Sequence, residues 1–189
     1  MTMPKKRNSK LGVALLKGET LIKEVSKHQV GAVIVIIVGL IIIASIMLAA
    51  LGLYTVVNSA QPESESSYGA LILYGGFILS IAVGVATFIN VYLYQLNRLI
   101  VTTEKVAQIT YRTIFDRKVV QLSIERVQDV TVSQVGIFPR IFHYGTVYIE
   151  TAGDQEECIF TFAPDPYELS REIMNIHEAA VLNKNNHTV

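Results

Sequence analysis

The sequence predicts a membrane α+β protein, a hairpin of two transmembrane helices followed by a small β-rich domain closed by one helix. Three observations carry this prediction. Two long blocks contain no charged residue, the apolar pattern changes from continuous to alternating from Arg98 onward, and a well-marked helix start follows the last alternating run.

Of the 189 residues, 51% are apolar and 17% charged, a balance too apolar for an ordinary soluble domain of this size. The uncharged blocks are residues 30–57 and 68–96, each longer than the roughly 20 residues an α-helix needs to cross a hydrocarbon core. Buried core helices seldom stay charge-free for so long, and the apolar region of a signal peptide is only about 7 to 15 residues. Both blocks therefore read as spans. The chain divides into a basic arm (1–29), two spans (30–57 and 68–96) joined by an external loop (58–67), a β-rich domain (97–183) and a disordered tail (184–189).

The net charge of zero becomes informative once it is divided by region. The arm carries seven basic residues, Lys5, Lys6, Arg7, Lys10, Lys17, Lys23 and Lys27, against Glu19 and Glu24, a net of +5. The loop has only Glu63 and Glu65, and Arg98, Lys105, Arg112, Arg117 and Lys118 follow the second span. Positively charged flanks stay on the cytoplasmic side, so both termini are expected there, with the acidic loop outside. The stretch 11–28 places Leu11, Ala14, Leu15, Leu21, Ile22 and Val25 among lysines, which makes it weakly amphipathic. Two readings of it stay open: a segment lying along the anionic leaflet, or a flexible arm whose lysines only set orientation.

In the second span Gly76, Ser80 and Gly84 form a small-xxx-small face that allows close approach of another helix. The nearest candidate is the first span, through Gly31, Gly39, Ser45 or Ala49, and self-association is the rival. Asn90, the strongly polar side chain well inside the spans, is placed to bond across to a neighbouring helix. Neither block has an ionisable residue near its centre, which argues against a pump, a transporter or an intramembrane enzyme.

After the spans, strands are expected around Leu99 and Val101, over Val106 to Tyr111, around Val119 to Leu122, and over 127–135, 145–151 and 157–162, six in all. Turns separate them at Asp116 to Lys118, at Gly136 to Pro139 and at Ala152 to Asp154. Cys158, the single cysteine, rules out an intramolecular disulfide and reads as a core strand residue. The closing helix is marked by Asp165 as N-cap, Pro166 at the first position and Glu168 three residues after the cap. Its stripe of Leu169, Ile173, Ile176 and Ala180 packs on the sheet. An Asn186-His187-Thr188 sequon reads as chance, because the topology puts it in the cytoplasm.

The run Leu99-Ile100-Val101-Thr102-Thr103, then Ile124-Glu125-Arg126-Val127-Gln128-Asp129-Val130, then Arg140, Gly145-Thr146-Val147, Ile149 and Thr151-Ala152-Gly153, resembles the bacterial pleckstrin-homology-like domain of small membrane proteins. Gly18-Glu19 and Lys27-His28 before the first span resemble the opening of the same proteins. Together these cover nearly the whole chain. The resemblance implies a seven-stranded, strongly bent sheet sandwich or partly open barrel plugged by the C-terminal helix, one strand more than the pattern yields. It implies a bacterial inner-membrane location and little biochemistry.

No catalytic or cofactor signature is present. The four histidines lack metal-ligand spacing, no cysteine pair exists, and there is no GxSxG, P-loop or GxGxxG. The expectation is therefore a non-enzyme with no cofactor, no metal and no small-molecule substrate. Binding remains. Arg98, Arg112, Arg117, Lys118 and Arg140, with Phe138, form the candidate surface for lipid phosphates or a protein partner. Arg126 reads instead as structural, pairing with Asp129 or a neighbouring strand. In the stretch 136–142, Ile137, Phe138, Ile141 and Phe142 suit the leaflet interface or a partner if exposed, though Ile141 and Phe142 are assigned to the core. From residue 97 onward nine basic residues face twelve acidic ones, a net of −3, which excludes nucleic acid as a partner. The expected role is a binding or scaffold module that meets membrane lipids, a protein partner or copies of itself. The alternative is an oligomeric lipid-handling, transport or channel component gated by the soluble domain.

Overall fold

The computed structural model describes the backbone of residues 19–60, 67–152 and 157–187. It contains two compact units, one of residues 31–94 and the other formed by the chain on either side of them.

The first unit is made by helix α1 (Gln29–Ala60) and helix α2 (Ser67–Leu96). Both run past the limits expected on the loop side, α1 to Ala60 and α2 from Ser67. At 1.5 Å per residue they are about 48 and 45 Å long, more than the roughly 30 Å of a hydrocarbon core. Both are long and apolar enough to cross a membrane. Their apolar side chains, among them Leu40, Ile41, Leu48, Phe77, Ile78 and Phe88, are exposed around the helices, unlike those of a core helix.

Glycines trace how α1 and α2 approach one another. A Cβ at Gly31 would collide with the Tyr94 ring, one at Gly39 would lie 2.5 Å from Thr87 Oγ1, and one at Gly76 would lie 2.6 Å from Ala50 Cβ. At Gly69 it would lie 3.0 Å from Tyr54. Positions rise on one helix as they fall on the other, so the pair is antiparallel. Of the expected face, Gly76 sits at a pinch point and Ser80 is buried, its hydroxyl donating to the Gly76 carbonyl. Gly84 would leave a new Cβ at an ordinary 3.9 Å from Ile43. Asn90 does not bond across the hairpin; its amide donates to the Ala86 carbonyl of its own helix, as small polar side chains in apolar helices do.

The second unit is the β-rich domain. Its first strand, β1 (Leu21–Ser26), comes from the basic arm. The rest follow the hairpin: β2 (Arg98–Thr102), β3 (Lys105–Tyr111), β4 (Arg117–Ser123), a 3-10 turn (Ile124–Arg126), β5 (Val127–Ser133), a short helix α3 (Ile137–Ile141), β6 (Tyr144–Thr151), β7 (Cys158–Pro164) and helix α4 (Pro166–His187). The seventh strand, absent from the sequence count, is thus β1. In consequence this part of the arm is neither a leaflet-bound helix nor a free tether. Helix α4 continues through His187, so residues 184–187 are helical rather than a disordered tail. The side chains of the sequon lie outside the described residues.

Among the described residues all pairings are antiparallel, in one sheet of order β1-β2-β3-β4 and another of order β5-β6-β7. Alternation sends Leu99, Val101, Val106 and Leu122 from the first sheet against Val147, Ile149, Cys158 and Phe160 from the second. Cys158 is a core strand residue as expected, and burial with the nearby Glu157 charge pushes its thiol up to about 12. Leu169 and Ile173 of α4 are fully buried in this core, with Ile176 and Ala180 packed at its margin. Ile100, Ala107 and Ile109 form a smaller cluster on the other face of the first sheet.

Candidate interaction surface

The chain leaves and re-enters the domain at paired positions. Ser26 at the end of β1 lies opposite Arg98 at the start of β2, and the Arg98 guanidinium bonds the Glu24 carboxylate. Between Ser26 and α1 stand only Lys27 and His28, and between α2 and Arg98 only Asn97. Each connection is tied into the fold. The His28 amide donates to the Phe162 carbonyl at 2.6 Å, and the Lys27 ammonium donates to Thr161 Oγ1 at 2.9 Å. Burial lowers the Lys27 pKa from its ordinary value. Asn97 is buried, and its Oδ1 accepts the Tyr111 amide at 2.6 Å.

A stack of rings adjoins the first crossing. Tyr144 lies between His28 and Phe162, with ring centroids 5.6 and 5.4 Å away and planes within 28° of parallel. Backbone strain gathers here too. His143 (φ 52°), Phe162 (φ 57°) and Asp165 (φ 41°) all take left-handed conformations that residues with a Cβ seldom adopt. Asp165 is therefore not the extended N-cap its sequence position suggests; its amide donates to the His143 carbonyl, and its carbonyl accepts the Leu169 amide.

Two loops project at this end. The turn between β3 and β4 is closed by hydrogen bonds from the Arg112 and Thr113 amides to the Asp116 carbonyl and carries Ile114 and Phe115, the latter 96% exposed. The stretch between β5 and β6 carries Val135, Ile137, Phe138, Ile141 and Phe142, all exposed, Phe138 at 67%. Gly136 (φ 105°) turns the chain into α3, and the Gln134 amide braces the stretch by donating to the Tyr144 carbonyl at 3.0 Å. The assignment of Ile141 and Phe142 to the core is thus overturned. A five-residue helix is too short to present one face inward and one outward, and the core is already filled by β6, β7 and α4.

Sheet register places the predicted cations. Arg98, Arg112, Arg117 and Lys118 all stand at the end of the first sheet where the chain crosses into the helices, through the pairings Ser26 with Arg98, Tyr111 with Arg117 and Thr110 with Lys118. Arg117 lies 5.7 Å from the centroid of the Tyr111 ring. Arg112, Arg117 and Lys118 are exposed, Arg98 is half-buried in its ion pair, and exposed Arg140 is on α3 beside Phe138. Arg126 stands at the opposite end, beyond the pairing of Lys105 with Ser123. The Asp129 carboxylate proposed for it accepts from the Val130 amide and the Thr131 hydroxyl.

At that opposite end β1 and α4 flank a shallow, mostly apolar depression of about 360 Å³, lined by Ile22, Thr103, Ile176 and Ala180 among others. Sequence reasoning missed this depression, the ring stack and the Ile114-Phe115 tip. Only the tip left a signal, an apolar pair inside a turn otherwise made of Arg112, Thr113, Asp116, Arg117 and Lys118.

Seven antiparallel strands in two sheets, closed by a C-terminal helix, are the architecture of a pleckstrin-homology-like module. A family model described as "Bacterial PH domain" matches residues 12–182, and the chain belongs to that family. Among solved structures it is similar to a DUF1696 family protein with a pleckstrin-homology domain from Shewanella loihica PV-4, with 10% identity and a TM-score of 0.35. That alignment covers 43% of this chain and 70% of the other. No curated protein matches.

Proposed function

We propose that this chain is a two-span membrane protein that presents its PH-like domain at the cytoplasmic face of a bacterial inner membrane, as a non-enzymatic binding or scaffold module. The observation that carries this reading is the brevity of the connections. Two residues before α1 and one after α2 join the helices to paired strand positions, and hydrogen bonds from His28 and to Asn97 fix both. A domain held so closely is positioned by its anchor, which suits assembly at a surface better than capture of diffusing ligands. The exposed apolar flanks of α1 and α2 support insertion, since a soluble protein rarely leaves such an area to water. The basic arm and acidic loop support cytoplasmic termini.

Partner binding is assigned to a protein or to further copies of the chain. Native mass spectrometry of the gently solubilised full chain, paired with reporter fusions after Val189, tests both parts. The expected result is a cytoplasmic C-terminus and a monomer or stoichiometric protein complex. A reporter active outside the cell removes the topology, and a fixed oligomer saturated with lipid favours the lipid-handling alternative.

A further inference from the structure

The two exposed apolar loops arise from unrelated parts of the chain, yet each is flanked by a residue in contact with one that adjoins a long helix. The β3–β4 turn begins at Tyr111, whose amide is held by Asn97, the residue after α2. The stretch bearing α3 ends at Tyr144, whose ring stacks on His28, the residue before Gln29 of α1. Placing large apolar side chains such as Phe115 and Phe138 in water brings no packing within the domain. It is explained if water is not what they meet.

We infer that these two loops dip into the headgroup region of the same bilayer that the helices cross, giving the domain a second membrane contact independent of the spans. The inference rests on the two-span reading above. The occupant is a phospholipid surface, and charge complementarity supports it: Arg112, Arg117 and Lys118 flank Phe115, and Arg140 adjoins Phe138, where they meet lipid phosphates while the rings lie deeper. Asp116 is the acid in the first turn, and its carbonyl is turned back to the Arg112 amide.

Single cysteines at Phe115, Phe138 or Ile137 provide the test. These positions are exposed, so labelling spares the fold, and the buried Cys158 thiol leaves little background. The full chain is spin-labelled, reconstituted into vesicles of phosphatidylethanolamine and phosphatidylglycerol, and the collision of each label with oxygen and with a water-soluble nickel chelate is measured. Glu104→Cys, on the β2–β3 turn at the opposite end, serves as a water reference, and Leu48→Cys within α1 as a lipid reference. An oxygen-to-nickel ratio severalfold above that at 104 for both loops is expected. Ratios equal to that at 104, with Leu48→Cys in lipid, overturn the loop insertion and leave the spans standing. A water-exposed Leu48→Cys removes the two-span reading and this inference with it. Shielding from both agents with dipolar broadening overturns it in favour of a second copy.

Discussion

The ammonium of Lys105 lies 3.1 Å from the carboxylate of Glu19, which is fully buried and whose other oxygen accepts the Thr102 hydroxyl at 2.7 Å. The same hydroxyl oxygen accepts the Lys105 amide at 3.0 Å. These contacts fasten the segment leading into β1 to the β2–β3 turn and give a physical role to Glu19 and Thr102, which belong to the pieces that carry the family resemblance. Removing one partner of a buried pair leaves the other desolvated, so Glu19→Ala should cost about 3 kcal/mol. Glu19→Gln, which keeps an acceptor for Thr102, should cost less. Thermal unfolding of the detergent-solubilised chain, followed by near-ultraviolet dichroism, reads both; equal and negligible losses would show that β1 is held by its ladder alone.

Within the helical hairpin Gly31, Gly39 and Gly76 are tight, while Gly84 has space. Gly76→Leu and Gly39→Leu should therefore loosen the hairpin more than Gly84→Leu. Oxidative crosslinking of a Tyr54→Cys, Gly69→Cys pair is the readout, with yield falling severalfold in the first two variants and little in the third.

Cys158 supplies a chemical probe of the core. With its thiol pushed up to about 12 and its side chain buried, it should resist maleimide at pH 8 in the folded chain and react within minutes once the domain is unfolded in denaturant. Rapid labelling of the native chain would mean that β7 opens readily.

Alkaline pH should weaken the domain. The Cys158 thiol is protonated more tightly in the fold than in the unfolded chain, so its contribution is whole below the ordinary thiol value of 9.0 and is lost as pH rises towards about 12. Lys23, hydrogen-bonded to Glu172 at 2.5 Å and 3.7 Å from Glu168, has its pKa raised despite some desolvation. It holds its contribution below 10.5 and loses it above. Lys27 acts oppositely: its lowered pKa penalises the fold while it is charged, and that penalty lifts as pH rises. Melting temperatures at pH 7.5 and 10.5 should differ in favour of the lower pH, and Cys158→Ala should flatten the difference.

Most of the architecture was legible in the sequence because it is written in period. Charge-free blocks give the helices, short apolar runs with partial alternation give β2 to β7, and Pro166 with a four-residue stripe gives α4. Strand β1 was not legible. Six residues, three of them polar or charged, look like part of a basic arm, and the pairing that makes them a strand lies beyond the whole hairpin. The candidate cations Arg98, Arg112, Arg117 and Lys118 lie at one sheet end because register brings them there, while Arg126 lies at the other. Exposure of Ile141 and Phe142 was misread because local composition does not reveal that a core is already full.

On the two-span reading, the pairing of Ser26 with Arg98 also orders events during synthesis. Glu19 and Thr102 are separated by 83 positions, roughly 5 to 15 s of translation at ordinary rates. Throughout that interval β1 has no strand to pair with, while both apolar segments are being made. The sheet can be completed only when the second segment has turned back to the side from which the first departed. A chain in which one segment failed to insert would strand β1 across the membrane from β2. Folding of the domain is in this sense a proofreading step on its own insertion, and misinserted copies would expose the unfinished sheet edge that proteases recognise.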